Sequence, residues 1–356
     1  MLTFDTLYGW VKDLPIIDWH NHLDLAMIAA DHPLGSLYEV WVKADPYKHR
    51  AMRICGEPER LNTGDAPEAE KWMAWTRTLP KLVGNPLFAW AKMEMAFLGL
   101  DGRENVSLSD WSPKRMLKAF HVEYYDPGYR MNAVDDPDFR EMTTVHDRGG
   151  RVLDISVDDV AQLHARQTSL VAVARFAVEH KWTMLLHMGA LRETSARLRA
   201  AAGPVGGFAG MRSPVDPAKV AGFLNLLEEN GALPRTILLT LNPEAHAQLA
   251  VLAGSFNEAG VPGKVQLGPA WWWCDHQEGI VDVLEKSAAY GVLSTFVGMT
   301  TDSRSLLSFV RHDYFRRVLC QWSADKIAAG DFPDDEALIR PLLENICYRN
   351  AKGMMS

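Results

Sequence analysis

Two histidines one residue apart, His20 and His22, follow the short apolar run Leu14 to Asp18, and in an extended chain such i, i+2 side chains project to one side. Two imidazoles so placed can share one metal ion. A third histidine, His187, ends the run Thr183 to Met188, and Asp302 follows the run Leu293 to Val297. Two or three neutral imidazoles and one carboxylate make an N/O donor set for Zn²⁺ or a similar divalent ion, with a position open for water or substrate. Bland readings stand beside this one. An HxH triplet can arise by chance in a chain with 12 histidines; His187 also reads as a core histidine bonded to backbone, and Asp302 as a helix N-cap.

Arg192 lies five residues beyond His187, and Arg304 lies two beyond Asp302. Guanidinium forks bind carboxylates in bidentate fashion, so the pair suits an anionic ligand. Trp271, Trp272 and Trp273 are consecutive and cannot all face a core; at least one faces a cavity or an interface, where an indole suits the C–H face of a sugar. Tyr314, Arg316 and Arg317 fall on a later helical stretch and read as structural.

The elements that must position these residues alternate. Apolar runs at Thr183 to Met188, Thr236 to Leu241, Lys264 to Leu267 and Leu293 to Val297 are separated by helix-period segments at 169–181, 217–230, 243–260 and 279–291. That order is the mark of βαβ units around a parallel sheet. Leu14 to Asp18 adds an early strand, and 119–125 and 151–156 are weaker candidates; an eighth strand is not readable. The expected fold is a (β/α)8 TIM-type barrel whose chemistry sits at the C-terminal ends of the strands. Residues 31–118 break the alternation, read as helical at 67–79 and 86–98, and are rich in tryptophan; they are expected to form a helical insertion after the first strand, with 1–30 and 119–356 forming the barrel. The stretch 127–150 is polar and turn-rich and reads as a loop.

The chain has 356 residues, 47% hydrophobic and 23% charged, with a net charge of −8. An acidic balance gives no general attraction for nucleic acid or anionic membrane, and an anionic substrate would need local arginines to reverse the sign. No stretch approaches the ~20 apolar residues of a membrane span. The four cysteines show no CxxC spacing and the first residues lack a signal-peptide core, so a cytoplasmic protein with reduced thiols is expected. Whether it assembles as a homo-oligomer is not readable.

At Leu14 to Leu23, Asn62 to Asp65, Asn85 to Leu87, Leu186 to Arg192, Lys264 to Trp272, Gly298-Met299 with Thr301 to Arg304, Arg311 to Arg317 and Ile346 to Lys352 the chain resembles the uronate isomerases of the amidohydrolase superfamily. The resemblance spans the chain end to end. It implies a distorted (β/α)8 barrel, one divalent metal held by His20, His22 and Asp302 with His187 near it, and substrate contacts from Arg192 and Arg304. It further implies that Tyr47, in Asp45-Pro46-Tyr47-Lys48-His49-Arg50, moves a proton between C2 and C1 of an open-chain hexuronate. Trp271, Trp272 and His49 are candidate substrate contacts, and Asp302 and Arg304 candidate catalytic partners of Tyr47. Two departures stand out: Pro46 replaces the family's usual histidine, and the region between insertion and middle strands is shorter.

Three readings follow: an aldose–ketose isomerase of a hexuronate such as D-glucuronate or D-galacturonate; a metal-dependent lactone or amide hydrolase, or decarboxylase, on the same scaffold; or a non-catalytic sugar-acid binder. A neutral tyrosine, with an ordinary pKa of about 10, is a poor base, so the first reading asks nearby arginines or the metal to favour its phenolate.

Overall fold

In chain order the parallel strands are β1 (Ile16–Asp18), β2 (Val122–Tyr125), β3 (Tyr129–Asn132), β4 (Val152–Val157), β5 (Thr183–Met188), β6 (Arg235–Thr240) and β7 (Val265–Leu267), in a computed structural model that describes residues 1–356. Strand β5 is buried at all six positions, as a strand covered on both faces must be. Strands β3 to β7 form one parallel sheet in that order, and β1 pairs in parallel with β2. A two-residue antiparallel ladder, Ala190–Leu191 with Gly210–Met211, lies apart from both.

Two irregular joins connect the pair to the larger sheet. Only Asp126, Pro127 and Gly128 separate β2 from β3, so one extended stretch leaves β1 and passes to β4. Gly128 has φ +64°, and a Cβ there would lie 2.9 Å from the Val152 carbonyl oxygen, so the bend and the close approach both require glycine. On the other side, residues 296–303 run between β7 and β1. The Val297 amide donates to Gln266 Oε1 at 2.9 Å, the Asp302 amide to the His20 carbonyl at 3.2 Å, and the His22 amide to the Ser303 carbonyl at 2.9 Å. The ring of a distorted α/β barrel is completed there by side chains as much as by a ladder.

This corrects two sequence expectations. Leu293 to Val297 is not a strand: Leu293–Thr295 is a 3₁₀ turn, and Gly298, at φ +73° against the Ile346 carbonyl, bends the chain away from ladder geometry. Residues 127–150 are not a loop either. They hold β3, whose Tyr129 and Met131 are buried while Arg130 is exposed, and a helix, Phe139–Asp147, capped by the Asp138 carboxylate on the Arg140 and Glu141 amides. Strand β3 is too short for its alternation to stand out among polar neighbours.

The tryptophans of 31–118 explain themselves by burial. Trp41, Trp72, Trp75 and Trp90 share a core with Leu306, Leu307 and Phe309 from the closing side of the barrel. The helix Pro46–Ile54 starts from Asp45, whose Oδ1 accepts the Tyr47 and Lys48 amides at 2.9 and 3.2 Å. Pro46 then occupies the first helical position, where its missing N–H is not needed.

Asp18, at the end of β1, is fully buried, and its carboxylate accepts five hydrogen bonds. Oδ1 takes the Thr300 hydroxyl (3.0 Å), the Thr301 amide (2.7 Å) and His312 Nε2 (3.1 Å), and Oδ2 takes the Thr301 hydroxyl (2.8 Å) and Asn21 Nδ2 (3.1 Å). Burial alone would raise its pKa, but the bonds from His312 and Thr301 outweigh it and hold the carboxyl below the usual range. Asp18→Ala strands several buried donors at once, and we expect it to cost at least about 3 kcal/mol in urea unfolding; a loss under about 1 kcal/mol would contradict this account.

Candidate metal centre and active site

The strand ends bring the histidines and carboxylates together. His20 is fully buried, and its Nε2 lies 3.1 Å from Asp302 Oδ1, which is also 2.8 Å from His22 Nε2. Asp302 has φ +48°, a left-handed conformation that costs a non-glycine residue on the order of 1 kcal/mol or more and is held by its neighbours. Its Oδ2 accepts the Trp271 indole N–H at 2.6 Å. From β5, His187 places Nδ1 2.7 Å from Asp154 Oδ1, and Asp154 Oδ2 is 3.8 Å from His20 Nε2.

Two overlapping donor groups result, His20 with His22 and Asp302, and His20 with Asp154 and His187, each with its ligand atoms within 4.8 Å of one another. His20 meets these carboxylates through Nε2 and His187 through Nδ1, and the other ring nitrogen of each, His20 Nδ1 and His187 Nε2, is buried without a hydrogen-bond partner. Burial would raise the pKa of Asp302, yet the bond from His20 and the histidine charges bring it down to about 2. Asp154 is likewise held low by His187 and His20 against burial. Two ionised carboxylates and three imidazoles in a buried pocket are a chemical fit for a divalent cation.

Asp154 escaped the sequence reading, although an acidic residue inside the apolar run Val152–Val157 is a signal that could have found it. Arg130, which contacts His22 Nδ1 from β3, left no such signal.

Around the donors lies an inner chamber of 140 Å³, lined by Tyr47, Arg192, Arg304 and all three tryptophans besides the donors themselves. Tyr47 meets Trp273 edge to face at 5.4 Å and Trp90 at 6.1 Å. Arg192 stands 6.0 Å over the Trp272 ring and donates to Asp158 Oδ1 and Ser156 Oγ, both at 3.0 Å. An outer chamber of 390 Å³ shares Pro46, Tyr47, Asp302 and Arg304 with the inner one and extends toward Lys48 and Glu94.

His49 is a correction: it is buried inside the helical region and lines neither chamber; its carbonyl accepts Asn62 Nδ2 at 2.9 Å. Two residues along the helix Pro46–Ile54 turn it about 200° away from Tyr47. Burial, with Asp302, Asp275 and Asp45 nearby, pushes the Tyr47 phenol well above its ordinary value, and Arg311 opposes this without reversing it. Burial, helped by the neighbouring carboxylates, therefore keeps Tyr47 protonated. Arg311 is itself committed, donating to Asp275 Oδ2 at 2.8 Å and to the Thr301 carbonyl; burial pushes Asp275 up to about 6 even against that arginine.

A strap covers the inner chamber. Between the two strands of the small ladder the chain forms the helix Ala196–Ala202 and a loop whose Pro204, Val205, Gly207 and Ala209 line the chamber. Arg50 donates to the Ala209 carbonyl at 3.1 Å and Arg53 to the Gly206 carbonyl. Gly207 (φ +78°) lies so close to the Pro46 carbonyl that an added Cβ would overlap it. Arg53 is itself oriented by two 2.7 Å bonds to Glu59.

Comparison with known proteins gives a consistent result. A family model described as glucuronate isomerase matches residues 3–106 and 126–355. A uronate isomerase of Geobacillus thermodenitrificans is 31% identical over 441 aligned positions, covering 97% of this chain and 94% of the relative. One of Bacillus licheniformis is 30% identical over 442 positions, covering 97% and 93%. The crystal structure of a Thermotoga maritima uronate isomerase superposes with a TM-score of 0.85 at 24% identity, over 99% of this chain and 97% of that one, which shows a shared fold.

The strap's anchor should be legible in acid. The hydrogen bonds from Arg53 bring the Glu59 carboxyl from an ordinary 4.5 to about 2, so its contribution to stability is complete above about pH 4.5 and is lost as the pH falls through about 2. In paired urea titrations the stability gap between the wild type and Glu59→Gln should be widest above about pH 5 and narrow steadily below about pH 4; a gap that ignores pH would contradict the assignment.

Proposed function

The chain belongs to the glucuronate isomerase family, and from that membership we propose that it interconverts an aldose hexuronate, D-glucuronate or D-galacturonate, with its ketose acid. The observation that carries this reading is the meeting of His20, His22 and Asp302 with Tyr47 and Arg304 around one chamber. In this proposal residues 31–118 are a helical insertion in the barrel that supplies Tyr47. A cytoplasmic setting is supported by four free cysteines, and no helix is long and apolar enough to cross a membrane.

His20, His22 and Asp302 would hold the metal, with His187 as a further donor; the imidazole and carboxylate set favours zinc. When bound, such an ion acts as a Lewis acid that polarises a substrate oxygen. Trp271 fixes Asp302 through its indole N–H and covers the His187 ring at 4.4 Å, so it holds the donors as well as walling the chamber. Arg192 and Arg304 take the substrate carboxylate, which supplies the local positive charge that the net −8 of the chain withholds. The closed strap and the tryptophan wall limit water at the reacting carbons.

The reaction moves one hydrogen from C2 to C1 and one from O2 to O1. Tyr47 is the group proposed to carry the proton at carbon. Because its phenol is held protonated, it must give up that proton before accepting another, and Arg311 and Arg304 are the chain's cations that interact with the resulting phenolate. Pro46 cannot join in proton transfer where relatives of the resemblance carry histidine, but it does set the helix start that aims Tyr47. Hydrolysis of a lactone or amide has no comparable support from the relatives.

Incubation with glucuronate and galacturonate should yield the ketose acid. Tyr47→Phe should lower that rate by at least about 100-fold with bound metal unchanged; lactone hydrolysis indifferent to Tyr47, without ketose, would sink the isomerase reading. Chelation should abolish turnover and added divalent metal restore it, whereas Asp302→Ala should fail to retain a stoichiometric ion by elemental analysis.

A further inference from the structure

The outer chamber adjoins the reacting site and is the larger of the two. At 390 Å³ it lies within the roughly 300–1,000 Å³ of ordinary ligand sites, while the inner chamber, at 140 Å³, falls below it. Its wall at His32 to Gly35 is braced by a neighbouring segment. The Leu34 and Leu37 amides donate to the Trp111 and Val106 carbonyls, both at 2.8 Å, and the Leu108 amide donates to the Gly35 carbonyl at 2.9 Å. Residues 107–125 are the internal stretch that the family model does not match.

The chamber mixes apolar and hydrogen-bonding surface in the way a carbohydrate ring requires. Met27, Leu34 and Leu87 supply apolar faces. Lys48 presents an ammonium 2.5 Å from Asp45 Oδ2 and 3.9 Å from Glu94 Oε2, and Ser308 presents a hydroxyl. Tyr47 and Arg304 line both chambers and form the boundary with the reacting site.

The reaction itself limits how such an occupant is attached. C1 and O2 of the hexuronate must be free, and its carboxylate is bound by arginines. O3 and O4 are the attachment points that leave those groups untouched. Resting on the isomerase reading above, we infer that the outer chamber is a subsite for a second sugar unit, and that the protein isomerises the reducing-end hexuronate of a 3-O- or 4-O-linked disaccharide. No glycosidic bond breaks: one hydrogen moves from C2 to C1 and one from O2 to O1, as with the free sugar.

The test compares kcat/KM for galacturonate and for 4-O-linked digalacturonate, in the wild type and in Ala30→Trp, an exposed position at the rim of the outer chamber. The disaccharide should be turned over at least as well as the monosaccharide, and Ala30→Trp should lower the disaccharide-to-monosaccharide ratio at least about tenfold. Turnover of the monosaccharide alone, or a variant that leaves the ratio unchanged, overturns the subsite while the isomerase reading stands. If neither sugar reacts and glucuronate does not either, the isomerase reading falls, and calorimetry decides the subsite: the disaccharide must bind at least about tenfold tighter than the monosaccharide, an advantage lost in Ala30→Trp, and equal binding overturns it.

Discussion

A buried, ionised carboxylate is the constraint on which the architecture turns. Asp18 is fully buried, and its charge is tolerable only because five donors converge on it. Those donors come from three places: the turn after β1, the closing segment at Thr300 and Thr301, and the long helix Val310–Ala329 through His312. The same residues fix the metal donors on either side, since Thr300 accepts the His20 amide at 3.0 Å and Thr301 precedes Asp302. The charge that holds the barrel closed thus also sets the distance between the first histidine and the last carboxylate.

Electrostatics in the site follow from what is paired and what is not. Asp154 and Asp302 are held ionised by histidines, while Asp275 and Tyr47 are driven toward their neutral forms by burial. Negative charge collects on the donor side and a protonated phenol faces it across the chamber. A cation at the donors and an anionic substrate at the arginines are the two additions that balance such a site.

Much of this was legible in the residues alone. His20, His22, His187, Asp302, Arg192 and Arg304 stood at or beyond the ends of apolar runs, and all six line the inner chamber. Tyr47 could not be found that way, because it reaches the chamber from a helix in the tryptophan-rich stretch, and only the resemblance singled it out. Spacing also misled: His49 is two residues from Tyr47, which on a helix turns it to a different face. Leu293 to Val297 has strand composition but not strand geometry, since Gly298 must pack against Ile346. Asp154 was missed because the apolar run Val152–Val157 reads as a core strand, although a lone carboxylate at its third position is itself out of place there.

The span between the two ends of the donor set has a consequence during synthesis. His20 and Asp302 are separated by 282 positions, so the imidazoles emerge from the ribosome long before the carboxylate that completes the group. A nascent chain carrying only His20 and His22 presents an open pair of nitrogens that any cellular cation can visit and leave. If these residues hold the ion as proposed, commitment to it waits until nearly the whole polypeptide exists, which would make metal selection a property of the finished molecule and not of its growing end.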